Sequence, residues 1–102
     1  MKSLRILSVM AFLLSFITIT ALAEITGRVV GRNGVPQNSV QVQFHGPGKY
    51  LSITRADGEF YLEDPEDGNY KVIVISGGRQ HIFHGAVIVK GEIKPNEFVV
   101  PW

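Results

Sequence analysis

His81-Ile82-Phe83-His84 sets two imidazoles three residues apart. On a helix that spacing would bring them to one face. On a strand, i and i+3 point to opposite faces and cannot share a metal ion. Only a bulge, for which Gly85 is the natural seat, could rotate one toward the other. Zinc takes three or four protein ligands. No third is evident, and the chain has no cysteine. The pattern therefore predicts one half-buried and one solvated histidine, and no metal. Asp57, Glu63, Asp64, Glu66 and Asp67 form an acidic cluster that calcium could use. It lacks the D-x-D-x-D-G spacing of a dedicated loop and reads as a solvated rim. Ser39, Ser52 and Ser76 stand in no G-x-S-x-G context, so a Ser-His-Asp hydrolase has no support. An enzyme would need the three histidines to converge. The sequence points to no catalytic residue and no cofactor.

Binding is the remaining chemistry. Tyr50, Tyr61, Phe83 and Trp102 could offer stacking faces to a sugar ring. Tyr61 is out of phase with its apolar neighbours Phe60 and Leu62 and should face solvent. Trp102 should be either tucked against an edge or exposed. Ordinary packing competes with ligand binding for each ring. Ile73 and Ile75 are out of phase with Tyr70, Val72 and Val74. Either their strand is covered on both sides, or they form an exposed apolar contact patch. Basic residues are scattered along the sequence and the formal charge is +1, so no nucleic-acid partner is expected.

The elements that must position these residues read as strands throughout. Ile25, Gly27 and Val29 would share a face, and a glycine inside a strand implies close approach of another group. Asn33-Gly34 is a turn tip. Val40, Val42 and Phe44 alternate with Gln41 and Gln43, the period of a half-buried strand. After His45-Gly46-Pro47-Gly48, the run Tyr50–Thr54 has Leu51 and Ile53 as its expected inward pair. Arg55–Gly58 reads as a hairpin loop, a type I turn with Gly58 left-handed and the Thr54 hydroxyl on the turn backbone. Glu59–Glu63 should run back antiparallel. Gly68-Asn69-Tyr70 reads as a corner, with the Tyr70 ring buried and its hydroxyl returned to backbone. Ser76-Gly77-Gly78-Arg79 suits a primed hairpin turn. Gln80–Lys90 is a long strand bulged at Gly85. Residues 91–96 are a loop, and Glu97–Val100 a last short strand. About seven strands at regular spacing predict two packed sheets.

The run Ile25-x-Gly27-x-Val29, Pro36, Val40-x-Val42, Thr54-x-x-Asp57-Gly58-x-Phe60-x-Leu62 and Gly68-x-Tyr70-x-Val72 resembles the carboxypeptidase regulatory-like domain. That resemblance implies an all-β, seven-stranded Greek-key β-sandwich of the transthyretin-like (prealbumin-like) kind, related to carbohydrate-binding-like folds. It also implies an accessory, non-catalytic role. The same fold hosts a purine-pathway hydrolase with a C-terminal Tyr-Arg-Gly-Ser signature. Val99-Val100-Pro101-Trp102 does not match it, so that activity is not carried over.

Residues 1–23 have the form of a signal peptide. Lys2 and Arg5 precede an apolar run from Ile6 to Ile19, and Ala21-Leu22-Ala23 is a small-x-small cleavage pattern. The run is short for a membrane span. Cleavage after Ala23 would leave a domain of residues 24–102, secreted or periplasmic and no longer tied to a membrane. Its charge would fall from +1 to −1 with the loss of Lys2 and Arg5. The expected product is a small exported interaction or accessory module of the cell envelope with a protein partner. The alternative is a carbohydrate-binding module. The contact candidates are Tyr61, Tyr50, Trp102, Ile73 and Ile75.

Overall fold

The computed structural model describes residues 24–102; the signal-peptide reading falls on residues 1–23 and lies outside them. Eight strands follow one another: β1 (Glu24–Val30), β2 (Gln41–His45), β3 (Lys49–Ile53), β4 (Glu59–Glu63), β5 (Gly68–Ser76), β6 (Arg79–Val89), β7 (Glu92–Lys94) and β8 (Glu97–Val99). They form a five-stranded sheet, ordered β3-β2-β5-β6-β7, and a three-stranded sheet, ordered β4-β1-β8. This is an all-β sandwich in which the chain passes repeatedly from one sheet to the other. The eighth strand is β7, inside the segment expected to be loop. Ile93 is buried and pairs with Ile88, which draws Glu92–Lys94 onto the sheet edge.

The alternation in the sequence becomes the inner layer. Ile25, Val29, Val42, Phe44, Phe60, Leu62, Tyr70, Val72, Val74, Ile88 and Phe98 are buried from both sheets. Each fully buried side chain of this size stabilises the fold by about 1.5–3 kcal/mol. Phe44 lies at the centre, with ring centroids 5.7 Å from Phe60, 5.9 Å from Tyr70 and 6.2 Å from Phe98. Gly27 is the strand glycine that needs its missing side chain. It pairs directly with Phe60, whose ring occupies the space a Cβ would fill.

The turns behave largely as their residues dictate. Gly58 has φ +80°, its N–H donates to the Arg55 carbonyl at 2.9 Å, and the Asp57 carboxylate accepts from the Glu59 N–H at 2.9 Å. The Tyr70 hydroxyl donates to the Glu66 carbonyl at 2.7 Å, completing the corner. Burial, and next the neighbouring Tyr50 hydroxyl, raise the Tyr70 phenol above its ordinary pKa. Gly77-Gly78 form a two-residue hairpin tip, both with positive φ.

Local expectations fail at several places. The loop after β3 is not a hairpin within one sheet, because β4 pairs with β1 and the turn carries the chain across the sandwich. The Thr54 hydroxyl does not bond that turn. It donates to the Gln37 carbonyl at 2.6 Å and accepts from the Val40 N–H at 2.9 Å, fastening the β1–β2 connection. Leu51 and Ile53 face outward, not inward. The Gly46-Pro47-Gly48 turn sets Tyr50 opposite Phe44 and Ser52 opposite Val42, so those residues take the inner phase. The expected bulge in β6, by contrast, is present: Tyr70 pairs with Ala86 but Val72 with Phe83, leaving one extra residue in β6. Gly85, at φ +83°, absorbs it. Alternation is thereby reset, from His81 and Phe83 inward to Ala86 and Ile88 inward.

Candidate interaction surface

Strand register assembles the outer face of the five-stranded sheet in rows. Across β3, β2 and β5, Ile53 lies beside Gln41 and Gln41 beside Ile75; in the next row Leu51 lies beside Gln43 and Gln43 beside Ile73. On β6, Ile82 extends the second row from Ile73. Leu51 is 61% exposed, Ile53 56% and Ile82 38%. Ile73 and Ile75 are half-buried between their neighbours. The expected contact pair therefore sits inside a larger aliphatic surface. A column of polar β2 side chains runs through it: the Gln43 amide donates to Gln41 Oε1 at 2.7 Å, and a His45 ring nitrogen lies 3.1 Å from Gln43 Oε1.

A third row follows. Lys49 lies beside His45, and His45 beside Lys71. Lys71 falls opposite the β6 bulge at His84 and Gly85. Beyond the bulge the face runs on through Asn69, Val87 and Lys94 and through Val89 beside Glu92. Lys49, Lys71 and His84 are exposed. Residues scattered in the sequence thus become one row of cationic or protonatable side chains bordering the aliphatic block. A shallow depression of about 200 Å³ lies where the two meet, lined by Gln43, His45, Lys49, Tyr50 and Leu51.

Because β3 and β4 belong to different sheets, the seam between them is open. Their one side-chain bridge is the Tyr61 N–H donating to Ser52 Oγ at 3.3 Å. Beside it lies a groove of about 520 Å³, lined among others by Tyr50, Tyr61, Lys49, Arg55, Glu24 and Glu63. The Arg55 guanidinium sits 4.3 Å from the centroid of the Tyr61 ring, covering one face of it. The Tyr61 hydroxyl donates to Glu59 at 2.9 Å, and this hydrogen bond to a carboxylate raises its pKa. The Tyr50 hydroxyl accepts from the Glu66 N–H at 2.9 Å, and its ring lies 6.1 Å from that of Tyr70.

The structure thus brings Tyr50 and Tyr61 to one groove, and Ile73 and Ile75 to one face. Trp102 joins neither. It is half-buried against the core, its carbonyl accepts from the Arg32 N–H at 3.2 Å, and the Arg79 guanidinium lies 5.9 Å over its ring. Phe83, expected as an exposed aromatic, turns inward against Phe98 at 5.1 Å. The histidines do not converge. His81 is half-buried against Phe83, His84 is exposed on the opposite face, and Lys71 stands between His84 and His45. Among the described residues, no group of three or more His, Cys, Asp or Glu side chains could hold a metal ion. Leu51, Ile53 and Ile82 are the surface residues that alternation alone did not single out. Pairing Phe44 with Tyr50 across the Gly-Pro-Gly turn is the signal that would have revealed the first two.

Comparison with protein-family models, with curated proteins and with solved structures finds no match to this chain.

Proposed function

We propose that this chain is a small exported, non-enzymatic interaction or accessory module of the cell envelope, secreted or periplasmic after cleavage at Ala23, that binds a protein partner. It does so through the outer face of the five-stranded sheet. The observation that carries the reading is the aliphatic block of Leu51, Ile53, Ile73, Ile75 and Ile82 on a solvent-facing surface. Contiguous exposed apolar patches on small proteins mark contact sites more often than isolated side chains do. The resemblance to the carboxypeptidase regulatory-like domain, with its transthyretin-like fold, supports an accessory role. The test is a photo-crosslinking residue at position 73, with position 99 on the other sheet as control, in the compartment that receives the protein. A protein adduct specific to position 73 is expected. Equal labelling at both positions, or none, would overturn the reading.

The groove favours a second reading, a carbohydrate-binding module. Tyr50 and Tyr61 line it together with Lys49, Arg55, Glu24 and Glu63, a mixture of rings and hydrogen-bonding groups suited to a sugar. A glycan array showing a signal that Tyr61→Ala abolishes would establish it, and a blank array would remove it.

A further inference from the structure

We infer that the partner element seated on this face is a single protein segment presenting carboxylates next to aliphatic side chains. The inference rests on the reading of the outer face as the binding surface and adds the chemistry of what binds there.

Size comes first. Strands lie about 4.8 Å apart, and same-face residues along a strand about 6.8 Å apart. The rows from β3 to β6 therefore cover roughly 15 by 15 Å before side-chain margins. A standard interface between globular proteins takes about 800 Å² from each partner. One helix, about 10 Å across, or one extended segment fits the smaller area.

Charge comes second. Lys49, His45, Lys71 and His84 follow one another across the sheet with no acidic residue in that row or in the two aliphatic rows beside it. Carboxylates on the partner would meet this row while aliphatic side chains covered Leu51, Ile53 and Ile73. The depression between Lys49, His45 and Leu51 is where the two kinds of contact adjoin.

The polar column of β2 separates a protein segment from a bilayer. Gln41 and Gln43 stand in the middle of the aliphatic block. Acyl chains would strip water from these amides and give nothing back, whereas peptide groups can pair with them. A second copy of the chain is a poorer match. The outer face of the three-stranded sheet supplies acids at Glu24, Glu59, Glu63 and Glu97, but Glu59 and Glu97 flank Arg28 and the apolar share there is only Tyr61 and Val99.

The experiment sequences the adduct formed at position 73 and measures binding of the synthetic peptide of that sequence to the full chain. The expected peptide carries Asp or Glu within a few residues of Leu, Ile or Val. Its affinity should fall at least about fivefold between 50 and 500 mM salt. It should fall at least about tenfold in Lys49→Glu/Lys71→Glu. Lys49→Gln/Lys71→Gln, checked for an unchanged urea midpoint, gives the same answer if the reversal fails to fold. A peptide without carboxylates, an adduct to a second copy, or affinity indifferent to both double variants overturns the inference and spares the reading of this face as a protein-binding surface, whereas a lipid adduct overturns both. Absence of any adduct at position 73 overturns both.

Discussion

The two outer faces of the sandwich are built by the same alternation and differ in what they leave to solvent. On the three-stranded sheet, Arg28 stands directly beside both Glu59 and Glu97, and Arg55 covers Tyr61. Opposite charges in neighbouring strand positions offset one another. On the five-stranded sheet, the row from Lys49 to His84 carries one sign of charge, and the rows beside it carry aliphatic side chains. The three-stranded face mixes both signs of charge, with Arg28 between Glu59 and Glu97 but Glu24 directly opposite Glu63, while the cationic row of the five-stranded face has no acid beside it. The inner layer between them is shared, so the fold places no demand on which side chains either face shows to water. The difference between the faces is what the proposed binding role would use.

The largest effect should come from breaking what the faces share. Phe44→Ala removes the ring that touches Phe60, Tyr70 and Phe98. It should lower stability by about 3–5 kcal/mol in urea unfolding, a large part of what a domain this size possesses. A loss below about 1 kcal/mol would mean that the two sheets are not held by this cluster. Gly27→Ala should cost less, about 1–3 kcal/mol, because the new Cβ meets the Phe60 ring and forces it aside. Restoring room with Gly27→Ala/Phe60→Leu should recover part of that loss. No recovery would show that backbone conformation, not the ring, demands the glycine.

Tyr70 gives a pH signature that belongs to the core and to neither face. Its phenol is raised by burial and by the Tyr50 hydroxyl. The native state thus keeps its proton where the unfolded chain, near pH 10, gives it up. The associated stability is complete below that pH and is lost as the pH rises through the higher native value. The urea midpoint should fall on alkalinisation past about pH 10, and Tyr70→Phe should flatten this fall. An unchanged alkaline slope in Tyr70→Phe would assign the titration elsewhere.

The sequence discloses the inner layer better than the outer one, for a physical reason. Burial acts on single residues: Val40, Val42, Phe44, Phe60 and Tyr70 are apolar because each must be. Turn chemistry is equally local, as Asp57-Gly58 and Gly77-Gly78 show. Which residues become neighbours on a face depends on register, and register is not local. Lys49 and Lys71 are far apart in the chain and next to one another only through His45. The groove at Tyr50 and Tyr61 exists because β3 and β4 joined different sheets, which the intervening turn alone does not reveal. Local pattern alone pairs β4 with β3 and turns β3 inside out, because Leu51 and Ile53 look like core residues.

That inversion supplies the smallest and most discriminating expected effect. Leu51 and Ile53 are more than half exposed, so Leu51→Ser/Ile53→Ser should change stability by no more than about 0.5 kcal/mol. Ser52 occupies the inner phase opposite Val42, and its hydroxyl takes the Tyr61 N–H. Ser52→Leu removes that acceptor and forces a larger group into the seam, and should cost about 1–3 kcal/mol. Were the strand packed with its aliphatic residues inward, the order would reverse, since the double serine variant would open a cavity and leucine would gain contacts. Urea unfolding of these two variants therefore decides the phase of β3. With it is decided whether the aliphatic face reaches the edge of the five-stranded sheet or stops at β2. If it stops at β2, Leu51 and Ile53 leave the patch, the depression beside Lys49 loses its apolar wall, and the contrast between the two outer faces rests on Ile73, Ile75 and Ile82 alone.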